Sequence, residues 1–303
     1  MRLGISLTSF HEVDDVRAGA RWMVERAAAA REAGLDSLFV GDHHAMPAPY
    51  YQNVPMMARL LAEWGDRPAG CLFLLPLWHP VLLAEQIGTL ASIAEGRFIV
   101  QCALGDGRQQ FAAMGVSLTQ RPSRFEESLD LVRRLLAGET VSSQGRWTFE
   151  RARIAPVPPE PVEFWVGASA DVAIERAARL GDGWLAAPGL TYEDAAIQLE
   201  TYQRACTRNQ REPAAVAIRR DIYVGESAEE ARAVAEPIIA AGYRGFDAAA
   251  PVYGSVDEVV AQFRRLAQLG YTDVIVRHLT DDQEQVLGSI RRLREVREAL
   301  SEN

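Results

Sequence analysis

Residues 72–107 read LFLLPLWHPVLLAEQIGTLASIAEGRFIVQCALGDG, and the order of residue types in this stretch decides the fold. Cys71 to Leu75 is a continuous apolar run, the pattern of a strand covered on both faces. Pro80 then opens a helix, where a proline is tolerated because the first-turn N–H has no intrahelical partner to lose. The helical pattern runs to Ala94 and Gly96 ends it. Arg97 to Ala103 is a second apolar strand. Strand, helix and strand in this order form a parallel unit with the helix outside the sheet.

The alternation extends in both directions. Upstream, Leu3 to Leu7 and Ser37 to Val40 are short strands separated by a helical pattern that reaches about Glu32 and closes at Gly34. A helix near Val54 to Glu63 leads into the quoted stretch. Downstream, a helix from about Arg121 to Ala137 precedes a break in rhythm. Residues 138–160 carry the turn signal Ser142-Ser143-Gln144-Gly145 and the prolines 156, 158 and 159, and the alternation Arg146-Trp147-Thr148-Phe149 suits a small hairpin. Strands then recur at Phe164 to Val166, Gly183 to Ala186, Val216 to Val224 and Asp273 to Val276. Helices follow at Asp171 to Leu180, Tyr192 to about Asn209, from near Ser227, Ser255 to Leu269, and 281–300. Eight such units predict an α/β protein: a closed (β/α)8 TIM barrel, one domain over 1–303, with an insertion at about 138–160 after the fourth β/α unit.

Composition narrows the function. The chain of 303 residues has 32 Lys and Arg against 41 Asp and Glu, a net charge of −9, which disfavours nucleic acid and anionic membrane as partners. Hydrophobic residues are 48% and charged residues 24%, enough apolar material for a sizeable core. Cys71, Cys102 and Cys206 are odd in number and lack a CxxC, so no disulfide scaffold is expected. The start, MRLGISLTSF, is too short an apolar run for a signal peptide, and no stretch suits a membrane span, so a cytoplasmic location is expected.

In such a barrel the chemistry lies at the C-terminal strand ends. The residues there are Thr8-Ser9, Asp42-His43-His44, Trp78-His79, Gly105-Asp106-Gly107, Gly167-Ala168-Ser169, Trp184, Arg219 to Asp221, and Arg277-His278. Four of the five histidines fall in this set. A histidine beside a carboxylate suits proton transfer, though it could equally cap the next helix. A metal reading is weaker, since adjacent histidines on an extended chain diverge and no HExxH is present. Gly167-Ala168-Ser169 stands between a strand and a helix, where small residues, a hydroxyl and the helix N-terminus suit a phosphate; a plain N-cap by Ser169 is the other reading. Arg219 and Asp221, two apart on a strand, share a face, with Arg220 facing inward if the register slips by one.

These motifs resemble the luciferase-like monooxygenase superfamily. The likeness rests on residues 72–107, on GDHH at 41–44, on RPSRFEESLDLVRRLLAG at 121–138 and on FWVGASADVAIERAARLGDGW at 164–184. It implies a usually dimeric barrel that binds coenzyme F420 or FMN and acts as an oxidoreductase or monooxygenase on a small organic substrate, with a separate flavin reductase if FMN is used. A catalytically silent flavin-binding protein and a metal-dependent barrel hydrolase are the alternatives. The resemblance makes His43 the active-site histidine and Asp106 a candidate acid. It assigns Thr8, Asp42, His43, Cys71, Leu72, Gly105, Gly167, Ala168 and Ser169 to the cofactor, and His44, Trp78 and Arg219 to the substrate. Cys71-Leu72 falls where the family often has a non-prolyl cis peptide. Asp42 and the lack of an arginine at Leu104 favour F420 over FMN, and no metal is assigned.

Overall fold

Runs of apolar residues too short for helices form the strands, and the computed structural model describes them as part of residues 1–301. In chain order they are β1 (Arg2–Leu7), β2 (Ser37–Val40), β3 (Ala69–Leu74), β4 (Phe98–Ala103), β5 (Val141–Gln144), β6 (Thr148–Ala152), β7 (Glu163–Gly167), β8 (Gly183–Ala186), β9 (Ala215–Val224), β10 (Val252–Gly254) and β11 (Asp273–His278). The helices are α1 (Val16–Glu32), α2 (Asn53–Trp64), α3 (Pro80–Ile93), α4 (Arg108–Ala113), α5 (Arg121–Leu136), α6 (Asp171–Leu180), α7 (Tyr192–Asn209), α8 (Ala228–Ala240), α9 (Val256–Leu269) and α10 (Gln283–Ser301). Pairing runs β9-β11-β1-β2-β3-β4-β7-β8, and β8 pairs back onto β9, so eight parallel strands close into a TIM barrel. β5 and β6 form the hairpin expected in the insertion. β10 adds a ninth parallel strand beside the C-terminal part of β9, through Val252 opposite Ile222. Its three residues are too few to carry a readable period in the sequence.

Local chemistry sets the helix ends. Asp15 accepts from Arg17 N at the start of α1, and Ser255 with Glu258 makes a full capping box on α9. Gly34, with φ +82, follows the true C-cap Ala33 of α1. Ser169 does not cap α6; the N-cap is Ala170, which has no side chain to do so.

The barrel interior is plugged by Phe39, Ile99, Trp165, Ala215, Ala217 and Ile275. Gly70 lets β3 approach this plug: a Cβ there would lie 1.9 Å from the Ile99 carbonyl oxygen and 3.2 Å from the Phe39 ring. Toward the C-terminal ends the inward positions turn polar, with Ser6, Gln101, Arg219 and Arg277. Outward positions on the same strands are buried against the helices. Cys71–Leu72 is a trans peptide, the one cis bond among the described residues being Ala155-Pro156. β3 pairs residue for residue with β4 from Ala69 opposite Phe98 to Leu74 opposite Ala103.

Two buried histidines serve this packing. His278 faces away from the barrel axis and shares a 3.0 Å hydrogen bond with Ser289 on α10. His11 packs edge-on to Trp22, ring centroids 5.7 Å apart. Burial, with Arg26 nearby, pushes His278 down to about 3 and His11 down to about 4 from an ordinary 6.5. Both rings stay neutral in the folded chain while the unfolded chain takes up protons. Stability is therefore full above about pH 6.5 and declines as pH falls toward the folded values, by roughly 2 kcal/mol per ring at about pH 5. Urea midpoints measured across this range should drop, and His278→Asn should flatten the slope; an unchanged slope in that variant would contradict the assignment.

Candidate active site

Asp42 organises one side of the barrel mouth. It lies just past β2 and is 7% exposed. Its Oδ2 accepts from Leu74 N at 2.8 Å and from Trp78 Nε1 at 2.8 Å, tying the ends of β2 and β3 together. Its Oδ1 stands 3.3 Å from His44 Nε2. The His44 ring meets Trp78 edge-on at 5.4 Å. Gln110 on α4 fixes the same turn from the far side, accepting from His44 N at 2.7 Å and donating to Asp106 O at 3.0 Å. The carboxylate thus stands beside His44, though Asp42 Oδ1 and His44 Nε2 make no hydrogen bond. His43, the expected active-site histidine, instead faces Tyr50, ring centroids 5.7 Å apart.

Below the mouth, residues on or just after seven of the eight barrel strands enclose a cavity of about 70 Å3. Its lining includes Ser6, Ser9, Tyr50, Leu72, Gln101, Arg219 and Arg277. Burial pushes the Tyr50 phenol up to about 12, with the Asp42 charge adding to the effect. Arg219 faces inward as its pairing with Asp221 requires, Nε donating to Asp221 Oδ1 at 3.1 Å. The alternative register is excluded, since Arg220 points outward and donates to the carbonyls of Pro188 and Leu190. Asp221 Oδ2 also accepts from Tyr243 OH at 2.9 Å and Arg244 Nη1 at 3.2 Å. Burial lowers the Arg219 guanidinium to about 10 against the pull of Asp221.

The strand-end set is only partly assembled. Asp42, His43, His44, Trp78, Gly105, Asp106, Gly167, Ala168, Ser169 and Arg219 all lie at the C-terminal end of the one barrel. Thr8 belongs with them, its Oγ1 accepting from Arg277 Nε at 3.3 Å. Leu72 lines the cavity, whereas Cys71 is buried outward and lies 3.9 Å from Asn53 O. His79 packs under the insertion hairpin, 5.3 Å from the Trp147 ring, and His278 is structural. Two of the four strand-end histidines therefore leave the site. Arg277, already in the strand-end set, lines the cavity, and Gln101, Tyr243 and Arg244 join the site without having been marked in the sequence. Among the described residues no group of three His, Cys, Asp or Glu side chains is placed to hold a metal. A wider concavity, about 560 Å3, lies at the opposite end beside Glu163 and Asp182, which start β7 and precede β8. That is the end of a barrel concerned with stability.

The family profile described as luciferase-like monooxygenase matches residues 1–268. The chain belongs to the luciferase-like monooxygenase family. An F420-dependent glucose-6-phosphate dehydrogenase of Nakamurella multipartita is 29% identical over 186 residues, 56% of this chain and 53% of that protein. The chain thus spans about half the length of the curated relatives it matches. In structure it is similar to the monooxygenase RslO1 of Streptomyces bottropensis, with a TM-score of 0.85, 21% identity and 97% and 98% coverage of the two chains. The FMN-bound oxygenating constituent of 3,6-diketocamphane monooxygenase from Pseudomonas putida aligns with a TM-score of 0.83 at 17% identity, covering 98% of each chain. At these identities the two structures establish the barrel fold that this family member shares. No helix among its described residues is long and apolar enough to cross a membrane.

Proposed function

We infer that this luciferase-like protein is an oxidoreductase that uses coenzyme F420, in preference to FMN, to act on a small organic substrate. The observation that carries the reading is the buried Asp42, which ties Trp78 to the end of β3 and stands 3.3 Å from His44 at the barrel mouth. The F420-dependent relatives support the choice of cofactor. The residues fit such a group. Ser169 is exposed, and the uncapped start of α6 leaves backbone N–H groups open to a phosphate. The 70 Å3 cavity is too small for a fused ring, so the ring would be held by the strand-end residues Leu72, His43 and Asp106. Hydride transfer, or oxygen activation in the case of FMN, is the chemistry such a group supplies when bound.

The chain supplies orientation and proton control. Asp42 Oδ1 stands beside the His44 imidazole, whose Nε2 would give or take the proton in the reaction. Trp78, fixed through its Nε1, covers that face against water. The test is equilibrium ultrafiltration with F420 and with FMN, followed by rates of F420 reduction across a panel of alcohols and hydroxy acids. F420 should bind more tightly. His44→Asn should lower turnover about a hundredfold while leaving cofactor affinity within about twofold. Tighter FMN binding with oxygen consumption would overturn the cofactor assignment, and full turnover in His44→Asn would overturn the histidine's role.

A further inference from the structure

We propose that the axial cavity is a carboxylate-binding subsite that anchors the acid end of the substrate, making the substrate an organic monocarboxylate. This deepens the functional reading above and rests on it for the word substrate. Three buried polar atoms without a partner converge on this one cavity: Arg219 Nη2, Gln101 Nε2 and Ser9 Oγ. Each can donate a hydrogen bond. Buried polar groups in folded proteins are otherwise paired, so three vacant donors around one space call for an acceptor-rich occupant.

The charges point the same way. Arg277 lines the cavity and its side chain donates only to the Thr8 hydroxyl, with no carboxylate in ion-pair range among the described residues. Arg219 has Asp221, but that carboxylate is shared with Arg244. Arg219 and Arg277 thus both line the cavity, and Asp221 is the one carboxylate in ion-pair range of either among the described residues. An uncompensated buried guanidinium is costly, and an entering anion relieves it.

Size and shape choose among anions. A cavity of about 70 Å3 is less than half of the roughly 150 Å3 that takes a benzene, so it has room for a small planar group and excludes a ring. The planar fork of arginine matches a planar carboxylate by two parallel hydrogen bonds. Tyr50, which meets the His43 ring at 5.7 Å, also lines the cavity, so a short chain leaving it on that side would run toward the strand-end histidines.

The experiment uses calorimetric titration of the purified chain with butyrate and with the neutral butyramide, at constant ionic strength, with and without saturating F420. Butyrate should bind and butyramide should bind at least about tenfold more weakly, as expected when a charge-assisted hydrogen bond is lost. Arg277→Met, which removes a guanidinium bonded only to a hydroxyl, should weaken butyrate by about tenfold or more, and Arg277→Lys should recover part of it. Equal binding of the two probes, no binding of butyrate, or unchanged affinity in Arg277→Met would overturn the proposal. Competition between F420 and butyrate would also overturn it, by giving the cavity to the cofactor's own oxygens. If butyrate binds as expected while neither F420 nor FMN binds, the carboxylate site stands and the redox reading fails.

Discussion

Asp42→Ala should unfold more readily than the parent chain by about 2–4 kcal/mol, because it strands one buried and one part-buried donor at once. Leu74 N, which is buried, and Trp78 Nε1, which is part-buried, both donate to Oδ2. Asp42→Asn separates the two roles of the carboxylate. Its amide oxygen can still accept from both donors, so stability should fall by only about 1 kcal/mol, while the lost charge should lower turnover about a hundredfold. Chemical denaturation and steady-state rates on the two variants check this. An Asn variant with full turnover would reduce Asp42 to a structural tie.

The second large effect concerns Asp221, which is fully buried on β9 and is the shared acceptor for Arg219, Tyr243 and Arg244. Asp221→Ala leaves the Arg219 guanidinium buried without a carboxylate and should cost about 3–5 kcal/mol. The exposed share of Arg244 is screened and adds little. Adding Arg219→Met to Asp221→Ala should restore part of the loss, because the stranded charge is removed with its partner. Urea denaturation of the two single variants and the double variant measures the coupling. A double variant less stable than Asp221→Ala alone would contradict the argument.

The barrel was legible because its signals are local. Pro80 opens α3, Ser227 and Ser255 cap α8 and α9, and the apolar runs of β3 and β4 need no partner to be read. The candidate site was legible only as far as strand order carries it. Strand position placed His79 and His278 in the mouth, but side-chain direction removed them: one is claimed by the Trp147 ring of the insertion and the other by Ser289 on α10. Neither partner is near in sequence. The same holds for Arg244, which reaches Asp221 from a turn where its own φ is +51. The choice between His43 and His44 also lay beyond the sequence. Neighbouring residues diverge, and only the fold shows which ring returns to Asp42.

The most direct test of a single redox site at the C-terminal mouth is hydrogen exchange with and without saturating F420. The account predicts that bound F420 slows exchange together in residues 42–50, 72–78 and 167–172, which come from three different strand ends. Protection confined to residues 157–164, around the groove at the opposite end of the barrel, would contradict it.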